Sequence, residues 1–514
     1  MKPNPNFVML FVPMLLIACA TPIDRRTDPE LAAIRVGPQA APQRNATNFS
    51  DGLRCMDQLL FDYGVRDVTL MMEEFQDNTR KLGAGTRDMM VSAVSDMTRR
   101  SRSVRLQTFG SDNQNIMQLL QQAQKLNQFS AIPEFDLRGS ITQFDEELLK
   151  RQGTFGALVE GLFGVRAGKT SQVAVLGFDS SIVRTKDLAL VPGVTSRNTV
   201  ALGKEEASAG DGFAKINKAN ISFSFAINRS EGSAQAVRNM VELAGIEVVG
   251  KLTRVPYWTC LGLSPEHIEV KREIDDWFFA MRTQTERRQF FQEQLRARGF
   301  FDGPLDGKGS KEFDSALLAY KIGLKMSADT TLDRTFFQAF LAAPVPQAPE
   351  APFAVVVKTE TKPEAKTVTQ NAESNSPLTL VFDKAAYRAG DAIALNVIAT
   401  ATGYLYCYAE DAKTRALQRI YPNRFVQDPR VEFGQTVSLP GAGAFKIEAQ
   451  AGATQRAIGC MLAPREVYNG LPPPLRWGDF EDVRLPSMEA IQTEFAKVAK
   501  APVALERAVA RIEK

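Results

Sequence analysis

From residue 51 the chain runs through two hydrophobic periods. Residues 55–63 fit a short helix and 68–75 an apolar strand. A helix opens near Thr86, where Met89, Met90, Ala93, Val94 and Met97 form one stripe. Then 104–109 reads as a strand, 113–126 as a helix rich in Gln and Leu, and 135–144 as a strand. Alternation of this kind predicts a compact α/β domain. The next stretches have period two. In 153–166, Phe155, Ala157, Val159, Gly161, Phe163 and Val165 share one face, while Glu160 and Arg166 lie on the other. Residues 171–184 alternate less regularly and 195–203 weakly. In 219–229, Ile221, Phe223, Phe225 and Ile227 alternate strictly with polar or small residues. This predicts two long β-hairpins, at about 153–184 and 195–229, followed by a closing helix over GSAQAVRNMVELAGIEVVGKL. Period two suits a half-buried soluble strand as well as a tilted barrel strand with a lipid face. Four strands from one chain leave edges that cannot sit in lipid, so insertion requires a ring of subunits.

Further on, Ile274, Trp277, Phe278 and Met281 predict one helix over 268–288, after which glycine-spaced turns separate two more helical stretches up to residue 343. Six prolines among Ala, Glu, Lys and Thr mark 344–377 as a semi-extended linker. Short apolar runs between Gly, Pro and Asp turns make 378–463 an all-β, sandwich-like domain. The tail, 464–514, carries a Pro-rich turn at 471–475, Trp477, Phe480 and a helix with Ile491, Phe495 and Val498. The fold class expected is therefore multidomain α+β: an α/β domain over 51–261 with two hairpins, a small three-helix domain within 262–343, and a C-terminal β domain.

Composition narrows the chemistry. With 62 basic and 59 acidic residues in 514, the net charge of +3 gives no reason to expect a nucleic-acid partner. The chain has one histidine, His267, in an exposed-looking Ser-Pro-Glu-His run, and no GxSxG or Cys-x-x-Cys. Acid–base and zinc sites generally draw on histidine. No catalytic residue, metal site or cofactor is expected, and the chain does not read as an enzyme. The run 164–170 imitates a phosphate loop, but GxxxxGK[ST] needs glycine where Phe163 stands, and 167–170 reads as a hairpin turn.

The amino terminus changes the setting. Lys2 precedes an apolar run over 7–18, broken by Pro13, that ends in Leu16-Ile17-Ala18-Cys19. The run is shorter than the roughly 20 residues of a spanning helix and has the layout of a secretory signal over 1–18. It resembles a bacterial lipobox. That resemblance implies cleavage before Cys19, a diacylglycerol on its thiol, and, with Ala20 next, transfer to the outer membrane, with residues 19–50 as a tether and most domains facing the periplasm. Four cysteines remain in what would be an oxidising compartment. Cys55 and Cys260 bracket the α/β domain, and Cys407 and Cys460 lie in two strand-like runs of the β domain; disulfides are expected within each couple.

Three local signatures carry family resemblances. VTLMMEEFQDNT, LRGSITQFD and the closing helix occur in the order found in the curli secretion lipoprotein family, called CsgG-like, over about 68–261. That resemblance implies a ring-shaped homo-oligomeric channel for an extracellular fibre or adhesin. Phe155, Val159, Phe163, Ile221, Phe223, Phe225 and Ile227 would then face lipid, and Asn78, Thr79 and Arg80 would face the pore. The family's loop there is longer and aromatic, whereas 78–85 here (NTRKLGAG) is short and basic. Residues 285–343 resemble the small helical peptidoglycan-binding repeat through Gln294, Leu295, Gly299, Phe300, Gly303, Asp306, Gly307, Gly309, Tyr320, Gly323 and Leu324. Of these, Gly299, Phe300, Gly303, Asp306 and Gly307 form its turn, and the repeat needs little outside itself to close. The "Y-x-x-G-D-x-I", "GYLY" and "YPN" elements resemble a domain of unknown function. The expectation is an outer-membrane secretion lipoprotein tethered to peptidoglycan; the rival is a non-conducting periplasmic scaffold or assembly lipoprotein that also binds peptidoglycan.

Overall fold

The computed structural model describes residues 49–82, 85–110, 132–145, 170–205, 211–218, 221–228, 232–344, 376–441, 445–476 and 478–513. It is a mixed α+β multidomain protein with a C-terminal all-β region. Cys19, the tether, the 113–126 helix, the 153–166 strand with Phe155, Val159 and Phe163, and the linker core lie outside the described residues.

Helix α1 (Ser50–Asp62) buries Leu53, Met56 and Leu60, spaced three and four apart. Strand β1 (Val68–Met72) is shorter than 68–75 predicts. The chain leaves it and pairs again as β2 (Gln76–Asp77), just beyond the predicted range. Helix α2 (Thr86–Met97) buries the whole predicted stripe. Then come β3 (Val104–Thr108), β4 (Phe135–Asp145), β5 (Thr170–Arg184), β6 (Leu190–Glu205), β7 (Asp211–Lys218) and β8 (Ile221–Asn228). They form one sheet in the order β3-β1-β4-β5-β6-β7-β8, parallel through β3, β1 and β4 and antiparallel from there on. Helix α3 (Gly232–Thr253) is apolar almost all round, as its burial between the sheet and α2 requires.

The expectation of one hairpin over 195–229 is corrected here, while the first strand of the 153–184 hairpin lies outside the described residues. Strand β5 pairs with β4 and β6, and the supposedly weak third strand is the longest, with 16 residues against 15 in β5. An unforeseen strand, β7, lies between β6 and β8, so 195–229 is part of a meander and not one hairpin. Alternation reports which face a side chain takes, and partner choice is not written in it.

The predicted helix over 268–288 is two helices, α4 (Ile268–Ala280) and α5 (Gln284–Ala297). Thr283 and Glu286 form a capping box, which starts a new helix inside the apolar stripe. With α6 (Lys311–Gly323) and α7 (Arg334–Ala342) they surround Phe291, Tyr320, Phe336 and Phe340, the first and third of these stacked at 4.7 Å. This module does not close on itself. Tyr63 meets Phe340 at 6.1 Å and Trp258 meets Trp277 at 5.2 Å, so its core is continuous with that of the α/β part.

The β region opens with β9 (Leu378–Phe382), β10 (Tyr387–Arg388), β11 (Leu395–Ala399), β12 (Gly403–Glu410), β13 (Leu417–Tyr421), β14 (Arg430–Val431), β15 (Thr436–Leu439) and β16 (Gln455–Ala463). Strand β12 is buried on both faces: Leu405 and Cys407 point into the core shared with the small β15-β11-β9 sheet. Tyr404, Tyr406 and Tyr408 point under helix α8 (Met488–Ala499). The tail is no appendage. Between β13 and α8 runs β17 (Asp482–Val483), and β18 (Ala504–Glu513) lies inside the large sheet between β10 and β16, so the domain extends past residue 463 to the end of the described chain. Leu505, Val509 and their neighbours make a pattern too mixed to read as an interior strand; it is held by backbone pairing with β16.

Candidate functional site

The outer end of the large sheet is the first candidate. Strand β6 is about 50 Å long at ~3.3 Å per residue. The described part of β4 ends at Asp145, opposite Val175, and among the described residues Thr170–Ala174 of β5 pair with β6. Among the described residues β7 pairs with the outer end of β6, residues 199–204, and β8 pairs with β7. The result is a four-stranded ribbon, β5-β6-β7-β8. Ile221, Phe223, Phe225 and Ile227 take alternate positions on β8, opposite Lys218, Ile216, Ala214 and Gly212 of β7. Among the described residues β8 pairs with β7 alone, which leaves its other edge open.

Asn78, Thr79 and Arg80 follow β2 at the edge of this sheet. The Asp77 carboxylate accepts from the backbone N–H groups of Thr79 (2.9 Å), Arg80 (3.1 Å) and Leu82 (2.7 Å) and from the Thr79 hydroxyl. Burial alone would raise the Asp77 pKa, but these donors outweigh it and hold the carboxyl below its usual range. The Asn78 N–H donates to Ile141 of β4 at 3.2 Å, and Arg80 has a φ of 55°. The turn is thus pinned to the sheet and exposes the side chains of Asn78 and Arg80.

In the helical module the glycine turn behaves as its spacing predicts. Gly299 and Gly307 have φ of 78° and 69°. A Cβ on Gly307 would lie 2.6 Å from Thr285, so the turn demands glycine twice over. The buried Gln292 side chain clasps it, accepting from the Gly307 N–H (2.8 Å) and donating to Lys308 O (2.9 Å), while Asp306 accepts from the Lys308 N–H (2.8 Å). Phe300 packs edge-on against Tyr320 at 5.2 Å, and Gly303 lies against the Phe301 ring. These residues shape the fold, and none is an evident ligand group. His267 caps α4, its ring accepting from the Glu269 N–H at 3.3 Å.

The structure adds a site that sequence reasoning missed, where the β region meets both other parts. Asp67, just before β1, accepts from Arg419 of β13 at 2.6 and 3.1 Å and from the Asp479 N–H at 3.2 Å. Asp479 in turn accepts from the Arg424 side chain at 2.6 and 2.9 Å. All four side chains are 1–2% exposed. Burial pushes the Asp67 pKa up, but the Arg419 guanidinium more than reverses this and leaves it below the usual carboxylate range. Around this cluster, Arg105 of β3 pairs with Glu481 at 2.7 Å, Arg296 of α5 pairs with Asp428, and Tyr404 donates to Asp302. The carboxylates of Asp67, Asp479, Glu481, Asp428 and Asp302 each accept from a guanidinium or a hydroxyl, which suits locking modules together. The one sequence signal was a charge within an apolar strand, Arg419 in LQRIY.

Both expected disulfides are present: Cys55–Cys260 joins α1 to the turn after α3, with Cα atoms 5.4 Å apart, and Cys407–Cys460 links facing residues of β12 and β16. Among the described residues no group of His, Cys, Asp and Glu is placed to hold a metal ion, and no helix is long and apolar enough to cross a membrane.

Residues 386–466 match a family described as a domain of unknown function, DUF4384. The match begins just before β10 and ends just past β16, so it omits β18, which completes the same sheet. No curated protein matches the chain. Protein XCC0632 from Xanthomonas campestris, a crystal structure of family DUF330, is similar at 12% identity over 38% of this chain and 86% of that one. Its TM-score of 0.17 carries no argument.

Proposed function

We propose that the chain is an outer-membrane lipoprotein of the curli-type secretion class. In this reading Cys19 carries lipid, β5 to β8 join those of neighbouring copies in a membrane-embedded ring, an extracellular fibre or adhesin subunit is the cargo, and the helical module touches peptidoglycan. The observation that carries the reading is the four-stranded ribbon β5-β6-β7-β8, whose last strand, β8, pairs with β7 alone among the described residues. An open edge with an apolar row is a liability in water and impossible in lipid unless another chain pairs with it. Copies adding head to tail would satisfy it, with β8 of one beside Thr170–Ala174 of the next.

The second reading is a non-conducting periplasmic scaffold that binds peptidoglycan, and one observation favours it. The buried Asp67–Arg419 pair, with the Asp479 N–H also on Asp67, welds the β region to the α/β sheet, and the Arg424–Asp479 pair braces it from within the β region, as a rigid platform needs. Electron microscopy of detergent-extracted protein, with protease protection mapped along 170–228, separates the two. Rings with a protected ribbon support the channel; monomers cleaved throughout 170–228 overturn it and leave the scaffold.

A further inference from the structure

Between helices α4 and α7 lies a recess of about 240 Å³ that neither functional reading uses. It exists because α7 turns one face to it, with Thr335, Gln338, Ala339 and Ala342 spaced three and four apart. The two alanines leave room that larger side chains would fill, and Ile274 of α4, 1% exposed, makes the apolar floor. A strut fixes the walls. The Arg334 guanidinium donates to both Asp275 carboxylate oxygens at 2.5 Å, and Gln338 Nε2 donates to the same carboxylate at 3.3 Å. Two side chains of α7 thus grip one acid of α4, which sets the spacing of the helices and keeps the recess preformed.

The rest of the lining is charged. Glu266, in the turn before α4, and Lys271, in the first turn of α4, both line the recess and pair with each other at 2.5 Å, their side chains 79% and 42% exposed. A pair so open to water contributes little to stability. It does present a dipole, carboxylate beside ammonium, to whatever enters. A ligand carrying an ammonium beside a carboxylate lies against it with each charge facing its opposite, and the protein's own pair stays intact. Neither the Thr335 hydroxyl nor Gln338 Oε1 has a hydrogen bond among the described residues, so both are available to a ligand N–H. Size and lining narrow the choice further. The recess is smaller than the roughly 300–1,000 Å³ that drug-sized ligands occupy, and no aromatic ring lines it for a sugar to stack on.

We propose that the recess between α4 and α7 binds the zwitterionic head of an amino acid. Its carboxylate faces Lys271, its ammonium faces Glu266, and a small aliphatic side chain lies over Ile274, Ala339 and Ala342. Such a head comes from a free amino acid or from the unlinked diamino acid of a wall stem peptide, which ends in the same two charges. The site itself does not rest on the wall-binding reading of the helical module; only the second source does. Because α4 supplies its floor and Lys271, a fragment holding the 285–343 repeat alone would lack it.

The test uses the full chain carrying Cys19→Ser, so that binding is measured without detergent. D-alanine and meso-diaminopimelate are titrated in by isothermal calorimetry, and saturable binding is expected. Acetate, ethylamine and N-acetyl-D-alanine, which each lack one of the two charges, should bind about tenfold more weakly or worse, in line with losing one charge-assisted contact. Lys271→Gln and Glu266→Gln, both at exposed side chains, should each weaken D-alanine by a similar factor. Ala342→Leu, at an exposed position, fills the recess and should abolish binding while near-UV circular dichroism stays that of the wild type. Displacement of D-alanine by a purified muropeptide with an unlinked diamino acid assigns the site to the wall, and lack of displacement assigns it to a free amino acid. Co-sedimentation with cell wall, measured separately, tests the wall reading itself, so the two failures are told apart. The proposal is overturned if no zwitterion binds saturably, if acetate or ethylamine binds as tightly, or if the folded Ala342→Leu variant keeps wild-type affinity.

Discussion

Arg419 is a charged residue in the middle of an apolar strand, and its partner Asp67 lies 352 positions earlier. Removing one member of such a pair leaves the other buried and uncompensated, so Arg419→Met should cost about 3–5 kcal/mol of stability. Replacing both, as Asp67→Leu with Arg419→Met, should recover a good part of that loss. A double-mutant cycle from denaturant unfolding checks it, and equal losses in the single and double variants would refute the pairing. The pH dependence follows in sign. The folded pKa of Asp67 lies below its unfolded value near 3.8, so the pair's contribution is full above about pH 4. It fades as the pH falls through the lower folded value, and Asp77 behaves alike. Unfolding midpoints that decline already between pH 7 and 5 through these groups would contradict this. Neither partner was legible beforehand as a pair, because burial of a charge is decided by a segment hundreds of residues away. The glycines at 299 and 307, by contrast, were legible, since a positive φ is a local demand and glycine meets it locally.

At the scale of elements, α2 starts at Thr86, as its stripe implies, and α3 matches its run to within a residue, whereas α1, expected from residue 55, starts at Ser50. The break between α4 and α5 was missed because the stripe runs through it and only the Thr283–Glu286 box interrupts it. Strand β7, DGFAKINK, lacks a regular apolar face and exists as a strand through its pairing with β6 and β8. The ribbon prediction belongs here. Phe223→Arg puts a charge on the apolar row of β8 and Ser224→Arg puts it opposite. At a bilayer midplane the former costs roughly 2–4 kcal/mol per strand, repeated in every subunit of a ring. Phe223→Arg should therefore abolish membrane-embedded oligomers while Ser224→Arg keeps them, as read by native electrophoresis of detergent extracts. Equal assembly of the two variants would remove the lipid-facing role of β8.

Across the whole molecule, the expected beads on a string give way to interlocked parts. The linker at 344–377 joins modules that already touch: Tyr63 enters the helical core, Arg296 and Asp302 meet the β region, and Asp67 is sealed under Arg419. A sequence-based reading set the boundaries at composition changes, which mark where the chain is unstructured and say nothing about which surfaces meet. In the proposed reading, localisation turns on a lipid at Cys19. Cys19→Ser should end labelling by a palmitate analogue and move the protein from membrane to soluble fractions; persistent labelling would rule out that attachment point.

The Cys55–Cys260 bridge has a mechanical meaning. The covalent path from the amino-terminal side of Cys55 to the carboxy-terminal side of Cys260 crosses one cystine, and the residues between these two, 205 apart in sequence, lie outside that covalent path. A lipid at one end and a wall-bound module at the other would strain the bridge and spare the sheet and its ribbon. In single-molecule stretching between points outside the bridge, the oxidised chain should never release that loop. Adding reductant should lengthen the fully extended protein by about 700 Å, at ~3.5 Å per residue. Under the proposed envelope reading, a chain held this way would keep its covalent backbone between Cys55 and Cys260 out of the strain.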